Sequence, residues 1–302
     1  MVLIPFDSVA QFGLHSRQGS EQPVALATGV RLPGKDCVLN LLDEVQHRPW
    51  PVPEGPWVMA QSWHDLLFAH WVLPVDTLRR LIPTPLEIDT HHGIAWIGMA
   101  PFRMTGVRIR GLPALPGLSA FPELNVRTYV TLGGKPGVFF FSLDAGNRLA
   151  VGVARRWFHL PYFYARMSLR AVGDRIQYAS RRIPHGARGS RQAQPGQHRD
   201  FAAEFIAEYR PAGDVFRTAT GTLEHWLTER YCLYAADSRH RIYRGEIHHR
   251  PWPLQPAAAE INVNTMTAPL GIRLPDAPPL LHFARWLDVV VWPPQRVSPP
   301  CR

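Results

Sequence analysis

From Glu123 to Val130 the chain alternates strictly. Leu124, Val126, Thr128 and Val130 fall on one side of an extended strand, and Glu123, Asn125, Arg127 and Tyr129 fall on the other. Gly133-Gly134-Lys135-Pro136 reads as a turn, and Val138 to Asp144 as the returning strand of a hairpin. With those four residues as the loop, Arg127 is expected opposite Ser142 and Asn125 opposite Asp144. That register keeps Phe139, Phe141 and Leu143 with the apolar face, and Phe140, Ser142 and Asp144 with the polar one. A stripe of Glu123, Asn125, Arg127, Tyr129, Ser142 and Asp144 is either the wet face of an antiparallel sheet or the lining of a pocket. Tyr129 and Phe140, large aromatics on the polar side, favour a lining.

Other segments carry weaker periods. Trp57 to Trp63 alternates as a strand that runs into a helical stretch through Leu66, Leu67 and Phe68, and Pro74 to Ile82 reads as a short helix. Gly93 to Phe102 has the character of a buried strand, and Gly111 to Gly117, broken by Pro113 and Pro116, is a loop. Leu149 to Ala154 is strand-like, and Arg155 to Met167 mixes turn and short helix around Pro161. Arg175–Arg182, Phe201–Arg210, Arg241–His249 and Leu281–Val291 are further strands, and Thr222 is placed to cap a helix reaching Tyr231. Thirty prolines and 23 glycines cut the chain into short pieces, which points to many strands and few long helices. The expected fold is mainly β (α+β), a closed or partly closed antiparallel barrel with a few short helices. It occupies residues 51–296, after a loosely ordered extension over 1–50 and before a tail at 297–302.

At 302 residues and 46% apolar content the composition is that of a soluble globular protein. No run of ~18 apolar residues and no signal-peptide pattern is present, so a cytoplasmic location without a membrane partner is expected. Cys37, Cys232 and Cys301 are odd in number and far apart, which fits free thiols. The net charge of +9 invites a nucleic-acid reading. The cations are scattered arginines, however, with only Lys35 and Lys135 as lysines, and the one dense stretch, Arg181 to Arg199, is interrupted by Gly and Pro like a loop. Nucleic acid is therefore disfavoured as a partner, a small-molecule ligand is preferred, and a homo-oligomer stays open. His91-His92 and His248-His249 would point to opposite faces of a strand, so no metal is expected, and no nucleotide loop calls for a cofactor.

Several motifs together have a family likeness. Gln61, Trp63, Leu67-Phe68-Ala69-His70-Trp71, Pro83, the 123–130 strand, Ala154-Arg155, Leu160-Pro161-Tyr162, Leu227-Thr228-Glu229-Arg230-Tyr231 and His249-Arg250-Pro251-Trp252-Pro253-Leu254 resemble the YqjF-like (DUF2071-type) family of uncharacterised bacterial proteins, from about Trp50 to Trp292. That family is distantly similar to acetoacetate decarboxylase, which implies an antiparallel β-barrel with a small interior cavity. The decarboxylase signature Arg-Glu-x-x-Gly-x-Pro-Lys-Lys can be laid on Arg155 to Phe163, with Arg155 and Pro161 agreeing. The two lysine positions are Tyr162 and Phe163, neither of which can form an imine, so the resemblance does not extend to Schiff-base decarboxylation.

If the polar stripe lines a pocket, burying Arg127 unpaired would cost several kcal/mol and calls for a carboxylate. Asp144 is the nearest candidate, because Glu123 lies about 13 Å away along its own strand. Glu123 suits a general acid or base if burial raises its pKa. The leading expectation is therefore an interior site for a small organic acid or carbonyl compound with lysine-independent acid–base chemistry. Glu123, Arg127 and Tyr162 are its catalytic candidates, and Asn125, Tyr129, Asp144, Arg155 and His159 its ligand-binding candidates. The alternative is a non-catalytic ligand-binding or interaction protein on the same fold.

Overall fold

The computed structural model describes residues 40–183, 203–237 and 239–297. Their strands are β1 (Met59–Leu73), β2 (Glu87–Ile88), β3 (Ala95–Ile109), β4 (Phe121–Leu132), β5 (Lys135–Ala145), β6 (Tyr162–Val172) and β7 (Arg175–Arg182). They continue with β8 (Glu204–Pro211), β9 (Cys232–Ala236), β10 (Ile242–His248), β11 (Leu254–Asn264), β12 (Leu280–Val291) and β13 (Gln295–Val297). Short helices span Val75–Arg79, Arg148–Phe158 and Leu223–Thr228. The fold is mainly β.

The sheet closes twice on a shared wall. Pairing runs β5–β4–β3–β1–β12, and from β12 it returns to β5 by two routes, one through β11, β8, β7 and β6 and the other through β10 and β9. Most pairs are antiparallel, but β5 runs parallel to β6 and to β9 over a few residues. A wall shared by two circuits is covered on both faces, and its sequence shows it. Leu67, Ala69 and Trp71 of β1 join one hydrophobic cluster while Leu66 and Phe68 join the other. With both faces apolar, period-two alternation disappears. The stretch through Leu66 to Phe68, expected to be helical, is therefore part of a 15-residue strand with a register shift beside Asp65, whose φ is +52°.

The hairpin differs from its expected register in two steps. Gly133 and Gly134, at φ +59° and +75°, make a two-residue turn, so that Leu132 pairs with Lys135 and Arg127 with Phe140. Farther along, Phe141 is bulged out of the ladder, and Val126 pairs with Ser142 and Leu124 with Asp144. The bulge moves Ser142 and Asp144 off the Arg127 face and brings Leu143 onto it. Leu149 to Ala154, expected as a strand, is helical because Asn147 caps it, its side-chain oxygen accepting from the Leu149 and Ala150 amides. Thr222 caps the Leu223–Thr228 helix, accepting from the His225 amide.

Residues 40–50, expected within a loose extension, pack on the sheet. Leu41 is buried with Ala60, Val290 and Trp292, and Arg48 and Trp50 both bond the buried Glu246. Residues 1–39, most of the basic stretch (184–199), the tail from 298, Cys37 and Cys301 lie outside the described residues; Cys232 is a buried free thiol. Among the described residues no helix is long and apolar enough to cross a membrane, and no cluster of three His, Cys, Asp or Glu side chains is placed to hold a metal.

Candidate functional site

The smaller circuit, β4–β3–β1–β12–β10–β9–β5, surrounds a cavity of about 400 Å³, and each of its strands contributes to the lining. Trp63 comes from β1, Phe102 from β3, Phe140 and Leu143 from β5, Leu233 from β9, Ile247 from β10 and Val291 from β12. From β4 come Phe121 and three of the four residues of the polar face read from the alternation, Glu123, Asn125 and Arg127. The Arg148–Phe158 helix and Tyr162 at the start of β6 close one side, and Arg230, His249 and Trp252 another.

Glu123 is buried, and the Tyr162 hydroxyl donates to its Oε2 at 2.9 Å. Burial, reinforced by the charge of Asp144 and only partly offset by hydrogen bonds from Tyr162 and Asn125, pushes its pKa from 4.5 up to about 8. At neutral pH it is mostly a neutral carboxylic acid that can donate a proton. Burial, together with Glu123, likewise holds the Tyr162 phenol protonated. The Glu123 carbonyl is gripped from the opposite face by the Tyr178 hydroxyl at 2.7 Å, and the Tyr162 carbonyl accepts from Arg155 Nε at 2.5 Å. Arg155 thus positions the Tyr162 backbone and does not itself line the cavity.

Arg127 stands two same-face steps deeper on β4, with its guanidinium 5.0 Å from the Phe68 ring centre. Opposite it is Gly98, where a Cβ would meet the His70 ring at 2.8 Å, so only glycine leaves room for that imidazole. Burial lowers the His70 pKa well below the ordinary range, and Arg127 adds to the effect. His70 is therefore neutral; Nε2 donates to the Tyr129 hydroxyl at 2.6 Å, and that hydroxyl donates to the Leu227 carbonyl at 2.9 Å. Tyr129 is accordingly a buried, saturated group beside the cavity.

The carboxylate expected to neutralise Arg127 is elsewhere. Asp144, turned away by the bulge, receives Nε and Nη2 of Arg182, the latter at 2.7 Å, with the Phe163 ring 4.0 Å from the guanidinium carbon. Arg127 has no ion pair among the described residues. Arg230 has one, donating to Asp89 at 2.6 Å, yet its Nη2 is left over. His159 ends its helix at φ +53° and lies 4.4 Å from Tyr243, outside the cavity lining.

Five buried polar atoms on cavity-lining side chains lack any hydrogen-bond partner: Trp63 Nε1, Trp252 Nε1, Arg127 Nε, Arg230 Nη2 and Asn125 Oδ1. Four are donors and one is an acceptor. Buried polar groups are nearly always paired, and five of the eleven exceptions among the described residues belong to side chains of this lining. Arg230, His249, Trp63 and Trp252 were not assigned a role from the sequence. All four fall in motifs carrying the family likeness, but a lone sequence has no period that turns them toward a shared space.

This architecture places the molecule among acetoacetate-decarboxylase-like β folds. The enduracididine biosynthesis enzyme MppR, solved with HEPES buffer bound, matches 81% of this chain and 89% of its own at TM-score 0.55 and 12% identity. Acetoacetate decarboxylase from Legionella pneumophila subsp. pneumophila str. Philadelphia 1 matches 85% and 95% at TM-score 0.51 and 13% identity. An acetoacetate decarboxylase-like enzyme from Sphingomonas wittichii RW1 matches 84% and 98% at TM-score 0.52 and 12% identity. These likenesses concern the fold. The chain itself belongs to the DUF2071 family of uncharacterised conserved proteins, whose model matches residues 60–288. It is 49% identical over 258 residues to the uncharacterised protein YqjF of Bacillus subtilis (strain 168), across 85% of this chain and all of that one.

Proposed function

We propose that this protein binds a small organic acid or carbonyl compound in the seven-strand cavity and acts on it by proton transfer. In this reading Arg127 holds an acidic or carbonyl oxygen, and Glu123, steadied by Tyr162, is the proton donor. The observation that carries the reading is Arg127, a cavity-lining guanidinium with no ion pair among the described residues, which suits a ligand that brings an anion. Glu123, bonded by the Tyr162 hydroxyl on the same lining, adds to it. On the same fold MppR has been solved complexed with pyruvate, and with the condensation product of pyruvate and imidazole 4-carboxaldehyde.

An imine route finds no support at this site. Lys135, the lysine among the described residues, bonds Glu246 at 2.5 Å and lies over Trp50, and it is not part of the lining. At the positions of the decarboxylase lysine pair, Tyr162 lines the cavity and Phe163 lies against Arg182. The chemistry proposed is hydrogen bonding and proton donation to a carbonyl oxygen by a neutral carboxylic acid.

A thermal-shift panel of small keto acids, hydroxy acids and aldehydes, run on the wild type and on Arg127→Met, tests the reading. A ligand at a hundredfold its Kd adds ~2.7 kcal/mol, which raises Tm by roughly 5–10 °C for a chain of this size. The rise is expected in the wild type and absent in a folded Arg127→Met. An equal rise in both would remove Arg127 from the site. A hit without turnover would leave the binding reading and remove the catalytic one.

A further inference from the structure

The cavity has a polar end and an apolar end. On its β4 side, Arg127, Asn125, Glu123 and Phe121 follow one another at every second residue, and Phe121 pairs with Met104 on β3. Six residues of strand separate Arg127 from Phe121, about 20 Å at 3.4 Å per residue. Beyond Phe121 the lining continues into Ile109, Leu112, Leu115 and Leu118 around the loop after β3, with Leu149 of the adjacent helix. These are exposed: Leu112 by 58%, Leu115 by 56% and Leu149 by 65%. A single exposed leucine needs no explanation, whereas a ring of them continuous with an interior cavity does. The two sides of this mouth are joined, because Asn147 Nδ2 donates to the Gly117 carbonyl at 3.3 Å.

We infer that the ligand is an amphipathic carboxylic acid whose head is held at the Arg127 and Arg230 end and whose unbranched apolar chain runs out to the leucine mouth. This rests on the proposed function and narrows its substrate class. Length and size agree: with the carboxylate on Arg127, reaching Phe121 about 20 Å away takes an extended chain of about fourteen carbons, and at roughly 30 Å³ per water in the liquid ~400 Å³ holds about a dozen of its non-hydrogen atoms, with the rest in the open mouth. A three-carbon keto acid would fill less than half of that and leave the apolar wall of Phe102, Phe121, Leu143, Phe158 and Leu160 without a partner. A flat docking patch for a protein would not account for a cavity-lining guanidinium without an ion pair at the far end. One chain bearing one acid accounts for both ends.

Isothermal titration of the full chain with pyruvate, acetate, butanoate, octanoate, decanoate and tetradecanoate, each acid below its micelle concentration, and with 1-decanol below its solubility limit, tests this. Affinity should rise about fourfold per CH2 up to decanoate, and 1-decanol should bind at least tenfold more weakly than decanoate. Leu112→Ser/Leu115→Ser, both at exposed sites, should lose about tenfold for tetradecanoate and less than twofold for butanoate. Arg127→Met should lose tenfold or more for every acid. Equal affinities for pyruvate, butanoate and decanoate that still depend on Arg127 would overturn the chain and leave the proposed function standing. A chain-length rise unaffected by Arg127→Met, with decanol as tight as decanoate, would overturn the head-inward arrangement and the proposed function together. No binding by any acid would overturn both.

Discussion

The two faces of β4 bury arginine chemistry in opposite ways. On the Leu124 and Val126 side the charge is closed: Arg182 meets Asp144 through two nitrogens, and Tyr178 and Tyr209 each end on a backbone carbonyl. Ser180 Oγ remains a lone orphan on the β7 residue between Tyr178 and Arg182. On the other side Arg127, Asn125, Arg230, Trp63 and Trp252, all lining the cavity, each carry a buried polar atom without a partner. The same strand therefore builds a closed core on one face and, on the other, a cavity lining whose Arg127 has no ion pair among the described residues. Burial is tolerated in the first case because the charges of Arg182 and Asp144 and the phenols of Tyr178 and Tyr209 each have a partner.

The largest effect that could break this contrast is at the closed side. Asp144→Ala should destabilise by about 3–5 kcal/mol, because it leaves the Arg182 guanidinium buried without its carboxylate. Urea melts read this directly, and a loss below about 1 kcal/mol would mean that the closed side does not depend on its ion pair.

Glu123 comes next, and its effect depends on pH. The folded protein holds the Glu123 proton up to about pH 8, while the unfolded chain releases it near 4.5. Its contribution to stability is therefore full below about pH 4.5 and is lost as pH rises toward 8. Glu123→Gln, which mimics the neutral acid, should match the wild type near pH 4 and exceed it by about 2–4 kcal/mol near pH 8. Equal stability at both pH values would show a normally titrating carboxyl. Anion binding in the wild type should weaken above pH 8, where ionised Glu123 adds a negative charge to the cavity.

The smallest stability effect belongs to Arg127. Having no acid partner to orphan, Arg127→Met should stay within about 1 kcal/mol of the wild type, against several for Asp144→Ala. A loss of 3 kcal/mol in the same melts would put Arg127 in the closed class and erase the contrast between the faces.

Much of this was legible in the sequence. Alternation from Glu123 to Val130 set which residues share a face of β4, because side chains on a strand must alternate, and Gly133-Gly134 marked the turn. Proline and glycine punctuation indicated a mainly β fold. Three things were decided only by the tertiary structure. One residue, Phe141, bulging from β5 reversed the side on which Asp144 lies, and no local pattern announces a bulge. Both faces of β1 are apolar because two circuits share it, which made a strand look helical. Arg230, His249 and Trp252 reach the cavity from segments about a hundred residues or more from β4, and strand pairing alone brings them there. Sequence period fixes what is local to a strand; which strand lies across from it, and hence whether a polar face meets water, a partner or a cavity, depends on closing the sheet.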